Sequence, residues 1–290
     1  MPTLSLVVCV QSQRDLLDRL LQKAQGCYDE LLIVHDGPDT FAVKEIADRF
    51  HGRWFEAPLA GSLEAQSPFA WARSTYDWIL RLDADEFPSE KMKEWIFRFR
   101  QAAEPEPSIS GYTCVWPIWD GLRAVTKHWP AGRIFLFNRR RVRFFGQIEQ
   151  TPIPDGRYEA LPLILHHQPA RRSHGLRNVI FRKQAYAWRN LIARGLLGKP
   201  TDLPCWRWDS AIWPERWEEI RRSPLRTAFS RLVMDSLRTF RDQWKNERRI
   251  LFNTGINGPI HHALICFEYW RLRRRQKSER SERQVTNQSE

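Results

Sequence analysis

Two short runs with apolar cores, LSLVVCV at residues 4–10 and ELLIVHD at residues 30–36, flank DLLDRLLQKA at residues 15–24, whose apolar residues recur at helical spacing. A run that is apolar on both faces reads as a strand buried from both sides. The order repeats. TFAVKEIADRF (40–50) reads as a helix with Asp39 or Thr40 as N-cap, and RWFEAP (53–58) as a third strand. SLEAQSPFAWARSTY (62–76) has mixed helical character interrupted by Pro68, WILRLD (78–83) is a fourth strand, and SEKMKEWIFRFR (89–100) is a helix capped by Ser89. Strictly alternating strands and helices predict a mostly parallel sheet with helices on its faces. In such a sheet ligands bind outside the carboxyl ends of the strands. Asp36 and the cluster Asp83–Glu86 both fall at such ends.

After the turn-rich stretch AAEPEPSISG (102–111) the pattern changes. YTCVWPI (112–118), RIFLFN (133–138), RVRFFG (141–146) and ALPLILHH (160–167) read as strands joined by loops. From residue 171 the pattern is helical, over 176–197, 224–249 and 258–277, and SERSERQVTNQSE (278–290) reads as a disordered tail. The domain organisation expected is therefore 1–170, made of halves 1–100 and 101–170, then a helical extension 171–277, then the tail. Charge divides at the same place. Residues 1–170 hold 20 Lys/Arg against 22 Asp/Glu, or −2, and residues 171–290 hold 26 against 12, or +14. That excess reads either as solvated helix faces or as attraction to a polyanion. The five cysteines are odd in number and scattered, with no zinc or redox spacing, which suits a reducing compartment. No secretory leader is legible, and no run is long and apolar enough to span a bilayer.

The segment WILRLDADEFPSE (78–90) sets three carboxylates, Asp83, Asp85 and Glu86, within four positions behind a buried strand. Like charges so close resist desolvation, so a cation, basic side chains or water must stabilise them. A divalent cation held by carboxylates offsets charge on a diphosphate leaving group, and Mg²⁺ commonly uses only one or two protein carboxylates. The alternative is a solvated acidic turn leading into a helix N-terminus.

Taken together, the opening apolar strand, the aspartate in ELLIVHDG, the Asp-x-Asp in WILRLDADEF, the segment RIFLFNRRRVRFFGQIEQ and the close LFNTGINGPIHHALICFEYWRLRR resemble family 2 glycosyltransferases, in particular the lipopolysaccharide-core enzymes of the WaaE/KdtX type. The resemblance spans most of residues 4–275. It implies an α/β GT-A (Rossmann-like) fold, a mostly parallel sheet flanked by helices with a helical C-terminal extension. It implies inverting transfer of a hexosyl or heptosyl group from a nucleotide sugar, most simply a UDP-sugar, to a saccharide acceptor that is lipid-linked or part of a lipopolysaccharide core. Where that group carries His-Glu, this chain has Glu149-Gln150, and the Gln-x-x-Arg-Trp motif of processive synthases is absent after Glu149, which points to transfer of one sugar.

On this resemblance Asp85 contacts a divalent Mn²⁺ or Mg²⁺, Asp83 meets the metal or the ribose, and Asp36 and Arg73 belong to the nucleotide-sugar site. Glu149 is the candidate base, on the face opposite the leaving group. Glu86 positions donor or acceptor and is the second candidate base. His166 and His167 close a strand, where His167 reads as a further metal ligand or diphosphate contact, or as a structural residue. Arg139–Arg141 and Arg171–Arg172 read as phosphate partners or solvated clusters, and Trp116, Trp119 and Trp129 sit where an acceptor would lie. PIHHALICFEYWRLRRR (259–275) fits a helix in the interface of an anionic membrane, with Tyr269 and Trp270 at headgroup level, or else an ordinary packed helix. The expected location is the inner face of the cytoplasmic membrane. Two rivals are a sugar nucleotidyltransferase, which wants a glycine-rich loop where this chain reads CVQSQRDLL, and a nucleic-acid-binding protein, for which no recognition motif is present.

Overall fold

The computed structural model describes residues 1–117, 132–169, 176–208, 213–248, 250 and 252–288. In chain order the elements are β1 (Leu4–Val10), α1 (Arg14–Ala24), β2 (Glu30–Asp36), α2 (Lys44–Arg49), β3 (Arg53–Ala57), α3 (Leu63–Arg73), β4 (Trp78–Arg81), β5 (Glu86–Pro88), α4 (Glu90–Gln101), β6 (Ile109–Val115), β7 (Arg133–Asn138), β8 (Val142–Arg143), β9 (Ile153–Pro154), β10 (Arg157–His167), α5 (Leu176–Phe181), α6 (Lys183–Leu197), α7 (Glu215–Arg222), α8 (Pro224–Glu247) and α9 (Phe252–Gln288). The chain divides into two compact units. One comprises Met1–Arg172 with Leu203–Asp209, and the other Ser173–Asp202 with Ser210–Glu290.

The first unit is built on an eight-stranded sheet of order β3-β2-β1-β4-β7-β6-β10-β5. β3, β2, β1 and β4 are mutually parallel. β7 runs antiparallel to β4 and β6, β10 runs parallel to β6, and β5 runs antiparallel to β10. Only β7 and β5 are therefore reversed, and the carboxyl ends of β1, β2, β4, β6 and β10 share one rim. The expected architecture, a mostly parallel sheet flanked by helices with a helical C-terminal extension, is what the chain adopts. β1 and β2 are buried along almost their whole length, because helices cover both faces. Leu17, Leu20 and Leu21 of α1 lie in one core cluster with Leu6, Val8 and Ile33, and Trp71 of α3 lies in the other with Val7, Leu32 and Phe137.

Local signals explain several boundaries. Asp39 accepts from the backbone N–H groups of Phe41, Val43 and Lys44, so α2 begins later than residue 40. Ser89 caps α4 by accepting from Met92 N. Pro68 lies inside α3 without ending it.

One strand partner comes from far along the chain. Trp206 exchanges backbone hydrogen bonds with Phe144 and donates through Nε1 to Arg139 O. Gly146, at φ +67, lies against this returning segment, where a Cβ would sit 2.1 Å from Pro204 O. The domain boundary expected at residue 170 thus misses the return of residues 203–209.

In the second unit, α9 packs against α5, α6 and α8. The helix expected over 176–197 is two helices, broken at Arg182, whose ψ of 131° is extended. The tail expected to be disordered from residue 278 instead continues α9 to Gln288. Extending an existing helix with Glu, Arg and Gln adds a bond per residue without a new nucleation cost. Residues 259–275, expected in part to lie in a membrane, belong to the packed body of this unit: Ile265, Cys266, Glu268 and Tyr269 are buried. Glu268 accepts from Asn190 and Arg271, so its charge is matched within the bundle. Among the described residues no helix is long and apolar enough to cross a membrane.

Candidate active site

The carboxyl rim gathers charge from three strands. β4 ends at Arg81 and delivers Asp83 and Asp85 to the turn before β5. β10, parallel to the main sheet, brings His167 to the same rim, and its pairing with β5 sets His167 opposite Glu86 and His166 opposite Phe87. Gln168 N donates to Asp85 O, which locks the end of β10 to the acidic turn. Asp85 Oδ2 and His167 Nε2 lie 3.4 Å apart. His167 stacks on Trp116, with ring centroids 4.2 Å apart. Successive residues of a strand point to opposite faces, so His166 is turned away from this cluster; burial and then Lys23 lower its pKa.

Arg133 opens β7. Because β7 is reversed, its first residue lands at the rim where β4 ends. Its Nη2 donates to Asp83 Oδ2 at 2.6 Å and to Glu86 Oε2 at 3.2 Å, and its Nε is 2.9 Å from Glu86 Oε1. Glu86 Oε2 also accepts from Asp83 N at 2.8 Å. Burial, followed by the adjacent charge of Asp83, raises the Glu86 carboxyl above its ordinary range against the pull of Arg133. Burial would raise Asp83 as well, but Arg133, Arg81 and His167 outweigh it and hold that carboxyl low. Arg133 is therefore the positive partner that the acidic turn demands. It was not singled out from the sequence, where it opens an apolar run like any strand-edge arginine.

This geometry divides the three acids. Glu86 is fully buried and both oxygens face Arg133, which places it behind the turn rather than at the open rim where a second candidate base was expected. Its place is to hold the turn. Asp83 keeps 40% of its side chain exposed and Asp85 keeps 25%. Asp85 Oδ2 and His167 Nε2, 3.4 Å apart, would have to close to about 3.0 Å to serve as adjacent ligands of an octahedral cation bound at about 2.1 Å. Among the described residues no three His, Cys, Asp or Glu side chains group to hold a metal unaided. The donor set thus fits a cation that takes part of its coordination from a diphosphate.

Asp36 lies at the carboxyl end of β2, but its bonds are filled. It accepts from Ala60 N at 2.7 Å, Gly61 N at 2.9 Å and Gln66 Nε2 at 2.6 Å, and it is 2% exposed. These bonds tie it to the loop after β3. Neighbouring His35 ties the same rim together, its ring nitrogens 2.7 Å from Gly37 O and 2.6 Å from Gln11 O.

Arg73 is displaced from the site altogether. α3 runs back along the sheet, which carries its last residue to the amino end, where Arg73 O accepts from Arg53 at the start of β3. The guanidinium lies over the Phe69 ring and donates to Phe69 O. Arg139, Arg140 and Arg141 likewise meet Asp77 and the carbonyls of Trp71, Glu106 and Ile109 rather than a phosphate site. Glu149 is half-buried in a turn between buried Ile148 and Gln150, at φ +61. A non-glycine residue held there is uncommon and marks a position over-determined by its surroundings. Trp119, Trp129, Arg171 and Arg172 lie outside the described residues.

The chain is thus an open, mostly parallel α/β protein with a cationic and acidic cluster at its carboxyl rim. No family model and no curated protein sequence matches it. Among solved structures it is similar to glucosyl-3-phosphoglycerate synthase from Mycobacterium tuberculosis in complex with Mg²⁺ and UDP, at 16% identity over 40% of this chain and 44% of that one, with a TM-score of 0.30. It is similar to CMP:2-keto-3-deoxy-manno-octonic acid synthetase complexed with CTP, at 13% identity over 41% of this chain and 54% of that one, with a TM-score of 0.30. It is also similar to S. aureus TarS 1–349 in complex with UDP, at 12% identity over 89% of this chain and 90% of that one, with a TM-score of 0.41. The chain spans about half the length of the first two, 44% and 54%. All three scores lie below one half, so the activity is read from the residues of this chain.

Proposed function

We propose that this chain is an inverting glycosyltransferase of the GT-A type, moving one sugar from a nucleotide-sugar donor, most simply a UDP-sugar, to a saccharide acceptor. The acceptor we favour is a hexosyl or heptosyl chain on a lipid or lipopolysaccharide core at the inner face of the cytoplasmic membrane. The observation that carries the reading is the convergence of Asp83, Asp85 and His167 on one rim, with Arg133 and Glu86 locking the turn from below. Asp85 and His167 would hold a divalent Mn²⁺ or Mg²⁺, with Asp83 meeting it through water or binding the ribose. Such a cation offsets the charge that builds on a departing diphosphate. Arg133 fixes one oxygen of Asp83 and so keeps the acidic turn in one geometry before the donor arrives. Glu149, held in its constrained turn, would take the proton from the acceptor hydroxyl on the opposite face of the sugar.

The nucleotidyltransferase alternative asks for free backbone N–H groups after β1. Here the N–H groups of Gln11 and Ser12 both donate to Gln13 Oε1, at 3.3 and 3.2 Å, which disfavours that reading. The test is a thermal-shift and hydrolysis screen with UDP-, GDP-, dTDP- and ADP-sugars, with and without Mn²⁺. A metal-dependent response to one donor class supports the proposal. Binding of free nucleoside triphosphate with pyrophosphate release would replace it with the alternative.

A further inference from the structure

The second unit contains a helix, α8, that leaves an apolar side open to solvent. The side of α8 that packs within the unit carries Thr227 and Gln243, both buried, with Thr227 and Arg231 bonding Glu219 of α7. Ser236 and Thr239 donate back to carbonyls one turn earlier. The opposite side is apolar and open to solvent. Phe229 is 73% exposed, Leu237 60%, Met234 57% and Trp244 57%, and Leu225 and Val233 are exposed beside them. At 100° per residue Phe229, Val233, Trp244, Leu237 and Met234 fall within about 140° of the helix surface, with Leu225 at its border, in line with buried Gln243. A helix of a water-soluble unit ordinarily buries such a stripe.

Charge chooses between the possible covers. Arg226, Arg238, Arg241 and Lys245 are exposed on this half of α8 or along its edge. Asp235 and Asp242 lie on the other half, and each is paired with arginine. An apolar stripe bordered by arginine and lysine matches the interface of an anionic bilayer, where Trp, Phe and Leu enter the acyl boundary and cations meet headgroups. A second copy of the chain would instead set these cations against one another. α9, by contrast, keeps Ile265, Cys266 and Tyr269 buried and exposes only Phe252 and Phe267, 15 residues apart, among its described large apolar residues, and Arg271 and Arg273 are tied to Glu268 and to Arg221 O.

We infer that α8 is the face by which this protein docks on an anionic lipid surface, lying in the interface plane through Phe229, Met234, Leu237 and Trp244. The membrane reading above rests on a lipid-borne acceptor; this one names the helix that reaches it. It needs no turnover, so the two are tested apart.

The experiment is sedimentation of the full chain with vesicles of equal parts phosphatidylglycerol and phosphatidylcholine, and with phosphatidylcholine alone, at low and high salt. Wild type is expected to sediment with the anionic vesicles and to be released as salt rises. Phe229→Ser with Leu237→Ser should lower partition at least about tenfold. Because both side chains are exposed, thermal stability and the thermal shift with UDP should stay as in wild type. Arg274→Gln with Arg275→Gln on α9 should leave partition unchanged. The inference is overturned if wild type ignores anionic vesicles at low salt, or if the α8 pair leaves partition intact. It is also overturned if the protein is a dimer without lipid that the α8 pair dissociates, since the stripe then faces a second copy. Absence of UDP binding by wild type, with its vesicle binding intact and lost in the α8 pair, would count against the transferase reading and leave the docking face standing.

Discussion

Replacing Arg133 with Met removes the cation shared by Glu86 and Asp83 while keeping an apolar stem of similar reach. Glu86 is fully buried and meets Arg133 at 2.9 and 3.2 Å, whereas Asp83 meets it at 2.6 Å but is 40% exposed. At an effective dielectric of about 20, unit charges about 3 Å apart attract by ~5 kcal/mol. The desolvation of Arg133 offsets part of this, and water at Asp83 screens that half of the network, so Glu86 dominates the balance. Removing one member of a buried pair costs about 3–5 kcal/mol. Glu86 retains its bond from Asp83 N, which places the expectation at the lower end, ~3 kcal/mol at neutral pH. Burial already raises the Glu86 carboxyl, and losing Arg133 raises it further. A carboxyl whose folded pKa lies above its unfolded value of about 4.3 costs stability as pH rises between the two. The penalty should therefore shrink as the variant is taken down toward about pH 5. Urea unfolding of Arg133→Met at both pH values measures this, with Arg133→Met/Glu86→Gln as the partner variant. The double variant should regain most of the loss, because it no longer buries an unpaired charge. A single variant within about 1 kcal/mol of wild type at neutral pH, or a double variant no more stable than the single, would refute the assignment of Arg133 as the counter-ion of the turn.

The other expectations concern chemistry and backbone. Asp85→Asn should lower metal-dependent donor turnover by at least about a hundredfold while leaving the urea midpoint unchanged; normal turnover by the folded variant would move the metal elsewhere. Glu149→Gln should lower kcat by about 10²–10⁴ with little change in donor affinity, since a base acts in the transition state; a kcat within a few-fold of wild type would exclude it. Gly146→Ala should cost at least about 2 kcal/mol, from the contact with Pro204 O and the positive φ together. Gly26→Ala, at φ +80 with open space around it, should cost only the backbone strain of about 1 kcal/mol, and equal losses at the two sites would show that Pro204 does not press on Gly146.

Local pattern determined a good deal. LSLVVCV and ELLIVHD are apolar on both faces, and only a sheet covered on both sides accommodates that, so β1 and β2 were legible with their boundaries. Ser89 announced α4, and the alternation from residue 4 to 100 announced parallel strands with their acidic residues at one rim. These features depend on neighbours in sequence, where side-chain period and capping chemistry act directly.

What the tertiary structure decided depends on partners far along the chain. The reversal of β7 delivers Arg133 to Asp83, 50 residues away, and the pairing of β10 with β5 sets His167 beside Asp85. The same geometry places Glu86 behind the turn, ties Asp36 to the loop after β3 and carries Arg73 to the amino end of the sheet. The Phe-x-Gly turn needs its glycine because Pro204 returns to meet it. Helical periodicity marks an apolar side but not what lies against it: α9 buries Ile265, Cys266 and Tyr269, while α8 leaves Phe229, Met234, Leu237 and Trp244 to solvent. Which of two amphipathic helices is core and which is surface is settled by packing, because burial is a property of the pair in contact and not of either sequence alone.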